Sequence, residues 1–214
     1  EGFCIFNDIA IGANYLLNTG KVKSVLIIDL DVHQGNGSAA IFANDDRVFT
    51  FSMHGEKNYP FKKEASDLDI GLPNFTTDNE YLGLLEQALS RLIPTHKPDF
   101  IFYQSGVDIL ETDKLGKMSI SREGCKKRDE LVLTTAFEND IPLTAVMGGG
   151  YSPNINDIVE AHCNTYRLAS SIFFWPLPCY VNKRSLMNSG VPIKGSVFTL
   201  YWLKEPEHEK GIFD

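Results

Sequence analysis

Three side chains with metal-binding chemistry stand at alternating positions in the stretch Ile27-Ile28-Asp29-Leu30-Asp31-Val32-His33-Gln34-Gly35-Asn36-Gly37. In an extended chain, residues two apart point to the same side. Asp29, Asp31 and His33 therefore project together from the end of an apolar segment. Two carboxylates and an imidazole so placed repel and desolvate one another unless a cation neutralises them. Carboxylate oxygen and imidazole nitrogen are both good ligands for zinc. The plainer alternative is a strand running into a polar turn, with Asp and His capping nearby backbone.

The surrounding pattern favours a site. Asn7-Asp8 is a helix start, Ile9, Ala13, Leu16 and Leu17 repeat at helical spacing, and Gly20 is a stop. Val22 to Leu30 is continuous and β-branched, which predicts a fully buried strand. A short helix over Ser38 to Asn44 and a strand over Val48 to Met53 follow. Gly55 to Thr77 reads as a long polar loop, of the length usually found in functional segments. Helices are expected over Asp78 to Leu92, from a Ser121 cap to about Phe137, and from Asn154 or Asn156 to about Ala169. Strands are expected over Phe100 to Gln104 and Leu143 to Met147. Such alternation predicts a mostly parallel sheet with helices on both faces, a three-layer α/β/α arrangement. Ligands of such sheets bind beyond the carboxyl ends of the strands. The polar clusters all fall there: Asp29 to His33, Ser52-Met53-His54, Asp108 to Asp113, and Gly148-Gly149-Gly150-Tyr151. Beyond about residue 170 the pattern degrades, although Val197 to Leu203 is a candidate strand.

Composition sets the outer bounds. With 214 residues and 43% hydrophobic content, the chain suits one domain with a substantial core, or one domain with a small appendage. A net charge of −8 argues against nucleic-acid and anionic-membrane partners. The four cysteines, Cys4, Cys125, Cys163 and Cys179, form no C-x-x-C pair and read as buried free thiols in a reducing compartment. A cytoplasmic protein is expected, or a nuclear one in a eukaryote. No apolar run approaches the ~20 residues that span a bilayer.

In order along the chain, Glu1-Gly2-Phe3-Cys4-Ile5-Phe6-Asn7-Asp8, Asp29-Leu30-Asp31-Val32-His33-Gln34-Gly35-Asn36-Gly37, Ser105-Gly106-Val107-Asp108 through Asp113, and Gly148-Gly149-Gly150-Tyr151 resemble the zinc-dependent histone deacetylase family, within the arginase–deacetylase fold. The H-Q-G-N-G form is most similar to its class IV and bacterial branches. The resemblance covers residues 1–170, expected to be part of a catalytic domain, and leaves 171–214 unassigned.

The resemblance implies zinc ligands at Asp31, His33 and Asp113, with Asp108 set aside because its spacing fits the family less well. It implies a catalytic hydroxyl on Tyr151 and a narrow acyl-lysine channel walled by Phe3, Gly149 and Tyr59 or Phe61. A monovalent cation such as K+ would sit beside the zinc at Asp29, Ser52 and Met53, with Asn36 near. The implied substrate is an acyl-lysine protein or peptide, or a small acylated amine. The family's His-His general base lies a few residues before Gly2-Phe3-Cys4, so the sequence reads as an N-terminally incomplete piece of a longer deacetylase. His54, His96, His162 and His208 do not replace that pair. Two other functions compete. A ureohydrolase of the same fold would need D-A-H-x-D, and Gly35 stands where its last aspartate would be. A non-catalytic module would keep zinc and bind an acylated lysine or a partner protein.

Overall fold

The computed structural model describes residues 4–173 and the backbone of Leu200–Tyr201. Helix α1 (Asp8–Asn18) starts where Asn7 accepts the Ala10 amide at 2.9 Å, as the sequence predicts. Strand β1 (Val25–Asp29) is buried along its whole length and begins later than expected, because Val22 to Ser24 pack as a loop. Helix α2 (Asn36–Phe42), strand β2 (Val48–Gly55), strand β3 (Leu68–Leu72) and helix α3 (Asp78–His96) follow. Then come β4 (Phe100–Gln104), α4 (Arg122–Glu138), β5 (Leu143–Val146), α5 (Ile155–Phe173) and β6 (Leu200–Tyr201).

The sheet order is β3-β2-β1-β4-β5-β6, with β6 antiparallel to β5 and all other pairs parallel. β6 falls within the candidate strand over Val197 to Leu203. Two further departures from the sequence expectation change the layout more than these shifts of element bounds. The polar segment from Gly55 to Thr77 contains β3, an edge strand whose alternating Leu68, Ile70 and Leu72 pack on β2 while Asp69 and Gly71 face outward. Helix α3 runs past Leu92 through Pro94 to His96, where Lys97 takes a left-handed conformation and its amide closes on Ile93.

Alternation along the strands supplies two apolar layers. Val25 and Ile27 of β1 join Phe100, Phe102 and Val48 under α1. Leu26 and Ile28 face the other way, into the larger core beneath α3, α4 and α5. The three layers are thus α1 and α2, the sheet, and α3 with α4 and α5. No helix among the described residues is long and apolar enough to cross a membrane.

The chain leaves β1 towards β2 and β3 on one side, then returns to pair β4 on the other. Such a reversal opens a crevice at the carboxyl edge. Register puts Asp29 level with Ser52 on one side and Gln104 on the other, so the loops after β1 and β4 meet there.

Candidate metal centre

Asp31, His33 and Asp108 meet in that crevice, with one donor atom from each inside a 4.8 Å span. The His33 Nδ1 lies 2.9 Å from Asp31 Oδ1 and 3.1 Å from Asp108 Oδ2. Backbone donors hold the two carboxylates in place. The His33 amide donates to Asp31 at 2.8 Å, and the Val32 amide donates to Asp108 Oδ1 at 2.9 Å. Asp29 sits behind them, accepting the Asp31 amide at 3.2 Å.

The crevice walls are backbone without side chains. A Cβ on Gly106 would stand 2.5 Å from Asp31 Oδ2, and one on Gly149 would stand 2.4 Å from Asp108 Oδ2. Gly149 also has φ +62°, a conformation that costs other residues about 1–2 kcal/mol. Glycine is therefore required twice over at that position.

The electrostatics follow from burying three acids around one imidazole. Burial pushes the Asp108 carboxyl up, and the Asp31 charge adds to it, to about 7. Burial and the charge on Asp31 likewise hold Asp29 well above the carboxylate range. For His33, burial pulls downward, but the hydrogen bonds and charges of Asp108 and Asp31 outweigh it and raise the imidazole to about 10. The pocket holds positive charge strongly. Two carboxylate oxygens and an imidazole nitrogen, with a third carboxylate behind, fit a divalent cation such as zinc with one coordination position left over.

Of the zinc ligands expected from the sequence, the structure brings Asp31 and His33 together and does not bring Asp113 to them. Asp113 is not in the cluster. Its Oδ1 accepts the Leu115 and Gly116 amides, each at 2.8 Å, and its Oδ2 accepts the Tyr151 amide. Asp113 turns its own loop and tethers the Gly148-Gly149-Gly150-Tyr151 segment, while Asp108 takes the place beside His33. The reason is reach. Asp108 follows β4 almost directly and is buried, whereas Asp113 lies at the outer end of the same loop.

Tyr151 stands at the rim, 47% exposed, with its backbone on Asp113. Tyr59 is exposed and packs edge-on against Phe61 at 6.1 Å. Their loop joins the rim where Asn58 Nδ2 donates to the Leu115 carbonyl at 2.8 Å. Phe3 lies outside the described residues. The Ser52 hydroxyl accepts the Gly35 amide at 3.2 Å and lies 3.0 Å from the buried His54 Nδ1. The Met53 side chain is core, and Asn36 opens α2 with its amide on the Gln34 carbonyl. His96 stacks on Phe49, and His162 is buried on α5. Of the thiols, Cys125 is buried and Cys163 half-buried, but Cys4 is exposed, contrary to the sequence expectation.

Sequence reasoning missed the support beneath the crevice. Arg128 and Asp129 are wholly buried on α4 and paired at 2.7 Å. The available signal was their spacing, since they fall between Cys125 and Val132 on the helix stripe that packs into the core.

The sequence matches the histone deacetylase domain over residues 1–166. It is 45% identical over 173 residues to an uncharacterised protein of Picosynechococcus sp., covering 81% of this chain and 58% of that one. It is 38% identical over 153 residues to histone deacetylase 2 of Arabidopsis thaliana, covering 70% of this chain and 40% of that one. The chain therefore spans about half the length of the curated relatives it matches. A crystal structure of an HDAC homologue complexed with SAHA superposes with a TM-score of 0.64 at 30% identity, covering 79% of this chain and 46% of that one.

Proposed function

The chain belongs to the histone deacetylase family, and from that premise we propose that it takes part in hydrolysing the amide of an acylated lysine at a zinc ion held by Asp31, His33 and Asp108. The observation that carries this reading is the convergence of those three donors where the chain reverses between β1 and β4. When bound, zinc supplies a Lewis acid and an acidified water. The chain's own groups do the rest. His33 and the two carboxylates fix the cation, and Asp108, bonded to the Val32 amide, keeps the two loops in register. Asp113 holds the Tyr151 backbone at the rim, from where the phenol donates to the oxygen on which negative charge develops. Phe3, Gly149 and Tyr59 remain the proposed channel walls. The proposed monovalent cation lies at Asp29, Ser52 and the Met53 carbonyl, where Asp29 and Ser52 are level across β1 and β2.

The structure weighs against a two-metal ureohydrolase. A Cβ on Gly35 would stand 2.4 Å from Asp29 Oδ2, so the carboxylate such a site needs has no room.

The test is metal content and turnover of the purified protein with an acetyl-lysine peptide and, separately, an acetylated polyamine. We expect one zinc per chain, lost in Asp108→Asn and kept in Asp113→Asn, and chelator-sensitive release of acetate. Two metals per chain, or zinc lost only on changing Asp113, would overturn the assignment. Zinc and hydroxamate binding without turnover on either substrate would identify a binding module instead.

A further inference from the structure

We infer that Arg128 is a positioning residue for the metal centre: its guanidinium, buried beneath the crevice, clasps together the two loops that carry the ligands. One nitrogen, Nη1, donates to two carbonyls at once, that of Leu30 at 3.3 Å and that of Gly106. Leu30 immediately precedes Asp31, and Gly106 lies two residues before Asp108. The clasp thus joins the segment that carries Asp31 and His33 to the start of the loop that carries Asp108 and Asp113. The inference rests on the proposed metal site.

Three features argue for positioning rather than mere filling. First, a buried ion pair is a poor way to gain stability, because apolar residues of similar volume generally do as well or better. Arg128 and Asp129 have 0% exposed side chains, so a role beyond stability accounts for their presence. Second, Arg128 is itself held rigidly. Its Nε and Nη2 donate to Asp129 Oδ1 at 2.9 and 2.7 Å. Asp129 in turn accepts the Tyr103 hydroxyl from β4 and the Thr165 hydroxyl from α5 at 2.6 Å. Third, the gripped segments already touch. A Cβ on Gly106 would stand 2.9 Å from the Asp31 Cα, so a few tenths of an ångström of slack would reach the ligands directly. The planar fork of arginine satisfies an anion and two carbonyls together, which a lysine ammonium does not.

The experiment measures zinc affinity of the intact protein by competition with a chromogenic chelator, and the visible spectrum of its cobalt form. Arg128→Lys keeps the charge opposite Asp129 but loses the fork. Arg128→Met/Asp129→Leu removes the pair without leaving a buried charge. Both are expected to fold and to bind zinc about 10- to 100-fold more weakly, as when other supports of metal ligands are removed, with a changed cobalt spectrum. Leu85→Ala, a core truncation on α3, lowers stability but should keep wild-type affinity and spectrum. A folded Arg128 variant with wild-type affinity and spectrum overturns the inference. So does failure of both variants to fold, which would assign the pair to the fold alone. Absence of zinc binding in the wild type would instead overturn the metal-site reading on which this one rests.

Discussion

Because the pocket binds protons where it would bind zinc, metal affinity should depend steeply on pH. Asp108 is raised to about 7 and His33 to about 10, and the groups titrate as one cluster. Zinc requires both to be deprotonated. Between pH 6 and pH 8, His33 keeps its proton until the metal displaces it, which contributes about one decade of affinity per pH unit, or about two decades. Over the same interval Asp108 passes from about a tenth ionised to about nine-tenths, adding about one decade. The sum is about three decades, or ~4 kcal/mol. The assay is zinc competition against a chelator, corrected for the chelator's own protonation.

Stability of the metal-free protein supplies the matching sign. Asp108 binds its proton more tightly when folded, so its contribution is full below about pH 4 and is lost as pH rises through about 7. The His33 contribution is full below about pH 6.5 and is lost as pH rises through about 10. The metal-free melting temperature should therefore fall from pH 4 towards pH 10, while the stabilisation added by saturating zinc grows over pH 6 to 8. An affinity that stays flat within threefold from pH 6 to 8 would refute this account of the cluster, as would a metal-free protein that gains stability across the same range.

Asp113→Ala should leave the Leu115, Gly116 and Tyr151 amides without their acceptor. It is expected to cost about 1–3 kcal/mol in denaturant unfolding while the protein retains its full complement of zinc by metal analysis. Gly149→Ala places a Cβ 2.4 Å from Asp108 Oδ2 at φ +62°. Both melting temperature and zinc affinity should fall, and calorimetry and chelator competition read the two losses. Burial pushes the Cys125 thiol up to about 12, so brief alkylation of the native protein at pH 8, mapped by peptide mass, should label exposed Cys4 and spare Cys125.

The fold was legible wherever a local period carried it. Continuous apolar runs became β1, β4 and β5, helical stripes became α1, α3, α4 and α5, and their alternation implied the parallel sheet with its site at the carboxyl edge. β3 escaped because Asp67, Asp69 and Gly71 make its segment look like loop. The Leu68-Ile70-Leu72 alternation was nevertheless there to read, and it is the signature of an edge strand packed on one face. Asp31 and His33 were legible for the same local reason, being two apart at a strand end. The acid that the structure sets beside them was not. Asp108 and Asp113 share one polar loop, and the family spacing that favours Asp113 carries no information on which of the two the fold sets beside His33.

What distinguishes Asp108 from Asp113 is the pairing of β1 with β4, a contact across about 75 residues that no local pattern encodes. Register sets Asp29 level with Gln104, so the fourth residue beyond Gln104 arrives beside Val32 and His33, while the ninth lies out at the rim under Tyr151. The same pairing explains why Arg128 looked like one more charged residue on a charged helix. Its role depends on the Leu30 and Gly106 carbonyls being brought within reach of one nitrogen, and that proximity exists only once the two strands are side by side. Residue types thus announce that a site exists and where on the sheet it lies. Which acid the fold sets beside His33, and which side chain bridges the two loops from below, depends on strand order.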